Sequence, residues 1–401
     1  MGFLSRGLVE RKAADPLEVW AEIARAGRMS KAGATVNLET AFKVSVVFAC
    51  LKVLSQGCAQ VPFKLFQAAE VNGLEKILPA RDHRLYDLMS VAPNDWTTSF
   101  EFRETMVIHA ALGNAYAFKV RNTRGELVEL ILLDPGKVEK VQADDWSIKW
   151  KLNGTTGTIE FPADAIWHVR GPSWNGIVGM DVLTHAKEAL GLTIATEESH
   201  ATTHAKGVQT SGVYSVDGNL SPVQYAQLKK WLMDEHVGAK NVGVPMILDR
   251  GAKWFSQQMT GRDAQHLETR KFQIEEICRF FGVMPIMIGY SDKATTYASA
   301  EQMFLAHVVH CLSPWFARIE QSADLHLLSR KERERGLYFK FIAAGLLRGA
   351  SKDRAEYLSR ALGAGGSPAW MTQDEARALE ELNPMGGDAS QLPPAPNAPQ
   401  P

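Results

Sequence analysis

The segment FFGVMPIMIGYSDKATTYASAEQMF (280–304) constrains the fold most, because it joins two substantial helices through one short polar loop. The helix predicted before it, 262–281, has one apolar stripe and a flank of mixed charge. The helix after it contains an uncharged run, QMFLAHVVHCLSPWFA (302–317), which is shorter than the roughly 20 residues of a membrane span. We expect such a helix to be buried in protein, so the sequence predicts a packed frame that holds a polar loop.

Composition limits the possible functions. The 401 residues can bury large cores and predict two or three domains. Proteins that grip nucleic acid through its phosphates usually have a basic surplus, whereas this chain has 44 basic and 45 acidic residues. The charge balance disfavours tight DNA binding and leaves loose or sliding contact open.

The cysteines and the start of the chain point to a cytosolic protein. Cys50, Cys58, Cys278 and Cys311 lie in apolar runs without C-x-x-C spacing, which predicts buried, reduced thiols. The first residues, MGFLSRGLVERK, lack the apolar core of a signal peptide.

The first half of the chain reads as mixed α and β structure. A helix is predicted over 38–60, capped by Asn37 or Thr40, and a second helix has a Thr cap near 98 and breaks at Gly113. The other predicted elements are a strand at 61–67, a short helix at 83–95 ended by Pro93, two strands around a turn at Asn122–Gly125, and strands at 147–152 and 165–170.

The second half is dominated by helices. A long helix is predicted over 179–206, and an α/β insert follows at 208–258 with a helix that begins after Ser221. After the polar loop, helical spacing continues past Pro314, which we expect to kink or restart the helix. The remaining predictions are helices at 337–363 and 371–382 and a Pro-rich tail.

Motifs for chemistry are scarce. His200 and His204 have the i,i+4 spacing of a metal pair, as a metal-dependent hydrolase would use, but H-E-x-x-H and a third ligand are missing. His307 and His310, next to Cys311, are typical of a buried helix face. The sequence has no phosphate-binding loop and no nucleophile elbow. Apolar helices without a reaction centre favour an assembly protein.

The order and spacing of several segments resemble phage portal proteins of the HK97-like type. These segments are VSVVFACLKVLSQGCAQVPFKLF, HRLYDLMSVAPNDWTTSFEFRE, ALGNAYAFKVRNTRGELVELILLDPGKV, IWHVRGPSWNGIVGMDVL, DAQHLETRKFQIEEICRFFGVMPIMIG, TTYASAEQMFLAHVVHCLSPWFARIE and MTQDEARALEELNPMGGD. The resemblance covers about 38–388. Met284–Pro285 stands where the family usually has a double proline, which puts the local turn in question, and Gln373–Arg377 replaces a family NE-x-R.

The resemblance implies an α+β portal-protein fold with wing, stem, clip and crown regions, assembling as a ring around a central channel. The implied regions are a partly disordered N-terminal arm at 1–37, an α/β wing at 38–178, a stem helix at 179–207, an α/β clip at 208–258, a second stem helix at 259–289, a tunnel loop at 290–299, a long wing helix at 300–336, a helical crown at 337–385 and a disordered Pro-rich tail at 386–401.

The resemblance also implies a function without catalysis, cofactor or metal. A ring, usually of twelve copies, sits at one capsid vertex, and double-stranded DNA passes through it during packaging and ejection. Its partners are other copies of itself, this DNA, the large terminase subunit, the major capsid protein and a head–tail adaptor, with no membrane. The expected location is the virion, after assembly in the bacterial host cytoplasm.

Two sets of residues follow as candidate sites. Lys293, Thr295, Thr296 and Tyr297 would contact DNA from the tunnel loop, and Lys229, Lys230 and Lys240 would form the clip surface for terminase or adaptor. Two alternatives stay open: the metal-dependent hydrolase with His200 and His204, and another head structural protein. Adaptors are usually much shorter than this chain.

Overall fold

The computed structural model describes residues 28–71, 74–154, 157–206, 212–215, 221–235, 253–256, 262–291, 297–343, 346, 351–364, 368–380 and 382–392. The chain divides into two compact units. The larger contains Phe48–Val182 and Cys278–Pro401, and the smaller contains Ala24–Val47 and Leu183–Ile277.

Runs of strands and runs of helices follow one another along the chain, and the pairings among the described strands are antiparallel, which agrees with the predicted α+β class. The strands are β1 (Arg28–Met29), β2 (Thr35–Val36), β3 (Phe63–Val71), β4 (Leu74–Pro79), β5 (Asn114–Arg121), β6 (Leu127–Leu133), β7 (Val138–Gln142), β8 (Ile148–Gly154), β9 (Gly157–Pro162), β10 (Ile166–Arg170), β11 (Gly212–Ser215), β12 (Lys253–Ser256) and β13 (Leu337–Phe341). The helices are α1 (Leu38–Lys43), α2 (Ser45–Ala59), α3 (Arg84–Ser90), α4 (Ser99–Leu112), α5 (Val182–His185), α6 (Lys187–Lys206), α7 (Pro222–Glu235), α8 (Arg262–Phe281), α9 (Tyr297–His307), α10 (Ser313–His326), α11 (Arg330–Glu334), α12 (Ser351–Ala361) and α13 (Gln373–Leu379).

The larger unit is built on three antiparallel sheets. Their strand orders are β13-β3-β4, β10-β5-β6 and β7-β8-β9. Phe63 on β3 and Phe339 on β13 stack with ring centroids 5.3 Å apart, and Phe102 stacks on Trp167. All four side chains are almost completely buried, and each contributes about 1.5–3 kcal/mol of hydrophobic stabilisation.

In the smaller unit, a short β1–β2 hairpin packs against α6. The helical Gly191 makes this possible, because a Cβ at that position would lie 2.1 Å from Ser30 Oγ. Lys31 N–H donates to Glu188 Oε2 over 2.9 Å. The described part of the predicted arm at 1–37 therefore includes ordered strands at 28–36.

Local signals placed α4 correctly. Thr98 and Glu101 form a reciprocal capping box at its start, and Gly113, with φ +145°, follows its end. The helix at 83–95 is confirmed as α3, which begins after His83 and ends at Ser90, before Pro93.

Three helix predictions need correction. The helix predicted over 38–60 is two helices, because Val44 is extended at ψ 110° and ends α1. The helix predicted from 179 starts at Val182, because the N–H groups of Gly179 and Met180 bond Asn114 Oδ1 and Pro172 O instead, and a turn at Ala186 then separates α5 from α6.

The helix predicted over 337–363, and with it an all-helical crown, is also wrong at its start. Residues 337–341 form β13 and pair with β3, because Leu337, Phe339 and Phe341 alternate with outward side chains and bury one face of the strand. Helix α12 follows only at Ser351. Among the described residues, no helix is both long and apolar enough to cross a lipid bilayer.

Candidate functional site

The chain leaves α8 through a defined glycine stop. Gly282 adopts φ +66°, its N–H donates to Arg279 O over 3.3 Å, and the Val283 N–H donates to Cys278 O over 3.1 Å. These two bonds make a Schellman motif, which needs a left-handed residue that glycine adopts without steric cost. The direction of the chain towards the polar loop is therefore fixed.

A second stop follows within a few residues. Met284 is extended, as a residue before proline usually is, and Pro285 begins a 3-10 turn that ends at Ile288. Gly289 has φ +81°, and the Tyr290 N–H donates to Pro285 O over 3.1 Å. One proline is enough for this turn, so the departure from the family's double proline does not remove it.

The predicted tunnel loop is only partly covered by the structure. Lys293, Thr295 and Thr296 lie outside the described residues. Tyr297 is the first residue of α9, so the helix begins three residues before its predicted start at 300 and includes the last three residues of the predicted loop. The correction has a local cause, because Ala298, Ala300 and the residues after them are mostly good helix formers.

The long helix predicted over 300–336 is not continuous. Residues Val308–Leu312 form a π-helical segment, in which Ser313 N–H and Oγ both donate to Val308 O. Pro314 explains this segment: its ring would clash with the carbonyl four residues earlier, and it has no N–H to donate. Helix α10 ends at His326, and the separate α11 follows.

Close packing fixes the π segment and the end of α8 against α2. A Cβ at Gly57 would lie 2.9 Å from Leu312 Cδ2, so glycine permits the approach of α2 to the π segment. Cys50 Sγ and Cys278 Sγ are 3.8 Å apart. The hydrogen bond with Cys278 and burial raise the pKa of Cys50, and burial raises the pKa of Cys311 to about 11. The prediction of four buried, reduced cysteines is confirmed.

The proposed clip segment is described in three pieces. Strands β11 and β12 pair antiparallel, and α7 starts with a capping box in which Ser221 and Gln224 bond each other's backbone N–H. Lys229 and Lys230 lie on α7 and are exposed, whereas Lys240 lies outside the described residues.

The histidine pairs give no support for a metal site. No group of three or more His, Cys, Asp or Glu in the described residues could hold a metal ion, and the side chain of His204 is outside that part. His307 is buried, and burial lowers its pKa. The hydrolase alternative therefore gains nothing from the structure.

Sequence reasoning missed a polar hub in the larger unit. Asn114 Oδ1 accepts hydrogen bonds from Gly179 N (2.7 Å) and from His168 Nε2 (2.9 Å), so the imidazole carries its proton on Nε2. Burial, with nearby Lys140, Arg170 and His326, lowers the pKa of His168 to about 3. A Cβ at Gly179 would lie within 2 Å of Gly113 O. In the sequence, the glycines of LGNAY and GPSWNGIVG were the one sign that these two segments approach each other closely.

A second buried group was also missed. The Arg103 guanidinium donates to Ala59 O over 2.7 Å, to Met89 O over 3.1 Å and to Ser99 Oγ. It ties the ends of α2 and α3 to the start of α4, while burial lowers its pKa to about 10. It is a structural group, since its hydrogen-bond partners are the ends and the start of the helices that it joins.

Comparison with known proteins identifies the family. A family model described as phage portal protein matches residues 45–381. The chain is 28% identical to the portal protein of Enterobacteria phage HK97, covering 89% of this chain and 83% of that one, and 28% identical to a probable portal protein of Streptomyces phage phiC31, covering 94% and 82%.

A solved structure agrees in fold. A chain from the neck of a native gene transfer agent particle, computed with C12 symmetry, is similar with a TM-score of 0.60 at 23% identity, covering 87% of this chain and 93% of that one. The family match extends from α2 to the end of α13 and so includes the three sheets of the larger unit, the glycine stops and the π segment. The chain therefore belongs to the phage portal protein family.

Proposed function

We propose that twelve copies of this chain form the ring-shaped portal at one vertex of a phage capsid, through which double-stranded DNA is packaged and ejected. The observation that carries the proposal is the family match over 45–381, which is most of the chain. The twelvefold symmetry applied to the neck of the gene transfer agent particle supports the number of copies. The proposed role needs no catalytic residue, cofactor or metal.

The frame around the loop suits a channel. The Schellman motif at Gly282 and the turn ending at Gly289 fix one end of the loop, and α9 begins at Tyr297, within the last three residues of the predicted loop. Lys293, Thr295, Thr296 and Tyr297 would then reach the DNA backbone, with one cation from each subunit. A near-zero net charge favours passage, because each phosphate that is neutralised adds salt-sensitive affinity.

The partners follow from the same proposal. The exposed Lys229 and Lys230 of α7, with Lys240, would receive the large terminase subunit and later a head–tail adaptor. The wing at 38–178 would contact neighbouring copies and the major capsid protein. The stem segments at 179–207 and 259–289 would be formed by α5 and α6 and by α8. The ring would assemble in the bacterial cytoplasm and remain in the virion.

Electron microscopy of the purified chain tests this proposal. We expect closed rings of one size with an axial hole wide enough for a DNA duplex. Light scattering should give about 530 kDa, which is twelve times the 44.2 kDa of one chain. A stable monomer at high concentration, or a ring whose hole is closed to a duplex, would contradict the proposed function.

A further inference from the structure

The hairpin between β7 and β8 ends in an acidic and aromatic tip, Ala143–Ser147. The Ala143 N–H donates to Ser147 O, and the Trp146 N–H donates to Ala143 O, each over 2.9 Å. Asp145 Oδ1 accepts from Ser147 N and Oγ, and these bonds lower the pKa of Asp145. With the exposed Asp144 beside it, the tip is anionic.

Trp146 is the unexpected residue of this tip. It is the one non-glycine residue with a positive φ, +65°, in the described part of the chain, and its side chain is 79% exposed. Left-handed backbone at this point of a short hairpin is normally supplied by Gly or Asn, and for a bulky residue it is strained. The strain gains no burial inside the subunit, and strained residues concentrate at functional contacts.

A groove on the same unit complements this anionic, aromatic tip, because it has an apolar floor and a basic lining. Its volume is about 290 Å³, and its floor includes the buried side chains of Leu54, Ala111 and Cys311. This is slightly below the roughly 300–1,000 Å³ of small-molecule pockets, so it suits one large side chain better than a ligand. Phe281 and Trp315 also line it.

The polar lining of this groove is basic. Arg279, His310 and Arg318 lie along it, and the Arg318 guanidinium sits over the Trp315 ring at 5.4 Å. Arg318 donates to the carbonyls of Arg170 and Gly171. Burial and nearby Arg170 lower its pKa, as expected for a cation in positive surroundings. An aromatic side chain with carboxylates beside it would complement this lining, because its ring could stack on the guanidinium and its carboxylates could pair with the arginines.

We propose that the tip 143–147 of one copy docks into the groove of the next copy, with Trp146 as the anchor and Asp144 and Asp145 facing Arg279 and Arg318. This inference rests on the proposed ring, because a contact between two different surfaces repeats head to tail and closes only by rotation. Charge complementarity selects a second copy over a neutral or basic partner, and a tryptophan anchor with an arginine opposite it is typical of interface hot spots.

Replacing Trp146→Gly separates docking from folding. Glycine relieves the left-handed backbone, so we expect thermal stability at dilutions where the chain is monomeric to be unchanged or raised. Ring formation, followed by mass photometry over a dilution series, should require at least about tenfold more protein. The matched control is Trp174→Ala, since Trp174 is 92% exposed on another loop. Equal ring formation by the Trp146→Gly variant and the wild type would overturn the inference.

A charge exchange and a cross-link identify the occupant. Asp144→Arg and Arg279→Asp should each weaken rings, and the double variant should restore them. In the double variant Trp146→Cys with His310→Cys, which places one new thiol on the tip and one on the exposed lining of the groove, a short bismaleimide should give a ladder beyond dimers on a denaturing gel, and either single variant should give none. Rings that form normally without a ladder or charge rescue refute this contact and leave the portal proposal intact. Failure of the wild type to form rings refutes the portal proposal itself.

Discussion

At the scale of single residues, buried polar groups determine how the segments of the larger unit meet. Arg103 bonds carbonyls at the ends of two other helices, and Asn114 bonds both His168 and the backbone of Gly179. Neither role could be predicted from sequence, because the partners of Arg103 come from α2 and α3 and those of Asn114 from β10 and the loop after it. Periodicity and capping report only neighbours along the chain.

Replacing Arg103→Met should lower thermal stability markedly. The variant loses hydrogen bonds from a charged donor and leaves buried carbonyls without them, which costs about 2–3 kcal/mol. Thermal unfolding followed by circular dichroism should show a midpoint lowered by about 5–10 °C. The control Arg330→Met removes an exposed ion pair with Glu334 and should change the midpoint by little. Equal shifts for both variants would contradict the assigned role of Arg103.

His168 should make the fold sensitive to acid. Its folded pKa is about 3 and its ordinary value is 6.5, so below pH 6.5 the unfolded chain binds a proton that the folded chain excludes. The contribution of neutral His168 is complete above pH 6.5 and is lost as the pH falls towards 3.

We therefore expect His168→Gln to be less stable than the wild type at pH 7.5 and to approach it by pH 4.5, where the wild type has lost about 3 kcal/mol through this group. Thermal midpoints across this range measure the change, with the exposed His185→Gln as the control. A stability gap that stays constant with pH would rule out this account.

At the scale of elements, local patterns predicted structure wherever the determinants lie close in sequence. Helix α4 was predicted from its Thr98 cap and Gly113 end, and α8 from its apolar stripe. Strand β13 was missed because LYFKF is short, lies between helix-forming segments and pairs with a strand about 270 residues earlier. Pro314 predicted an interruption of the long helix, and in the structure this interruption is the π-helical segment Val308–Leu312.

The pairing of β13 predicts a sharp boundary for truncation. A chain that ends at Arg335 exposes one edge of β3 and removes the buried Leu337, Phe339 and Phe341, each worth about 1.5–3 kcal/mol. We expect it to aggregate, whereas a chain that ends at Ala343 keeps the sheet and stays soluble. Solubility and circular dichroism of the two chains decide this. Equal behaviour would mean that β13 is dispensable for the sheet.

At the scale of the whole molecule, a neutral chain can still present cations where they are needed. Lys293 belongs to the proposed tunnel loop, while Lys229 and Lys230 lie exposed on α7 in a different unit. Because a ring presents each of these lysines once per subunit, many weak contacts add up to a useful affinity while the net charge of each subunit stays near zero.

The two lysine sets should have separable effects. Lys293→Ala should reduce the salt dependence of duplex DNA retention by the ring, because fewer phosphates are neutralised. The double variant Lys229→Ala with Lys230→Ala should weaken terminase binding about fivefold or more and leave DNA retention unchanged. Filter binding at several salt concentrations and a terminase pull-down measure both. A change in terminase binding by Lys293→Ala, or a change in DNA retention by the double variant, would contradict the proposed roles of the two lysine sets.

The four buried cysteines of the larger unit can report how often its core opens. Cys50, Cys58, Cys278 and Cys311 are all buried. The hydrogen bond with Cys278 and burial raise the pKa of Cys50, and burial raises the pKa of Cys58 and of Cys311, so these thiols stay protonated and unreactive while the core remains closed. An alkylating reagent added to the native protein therefore records only the moments when that core opens. Mass spectrometry of the alkylated chain over time would measure how often this core opens. Comparing the free chain with the chain in an assembled particle, at rest and during DNA passage, would show whether either condition loosens the core, and the native cysteines serve as the probe.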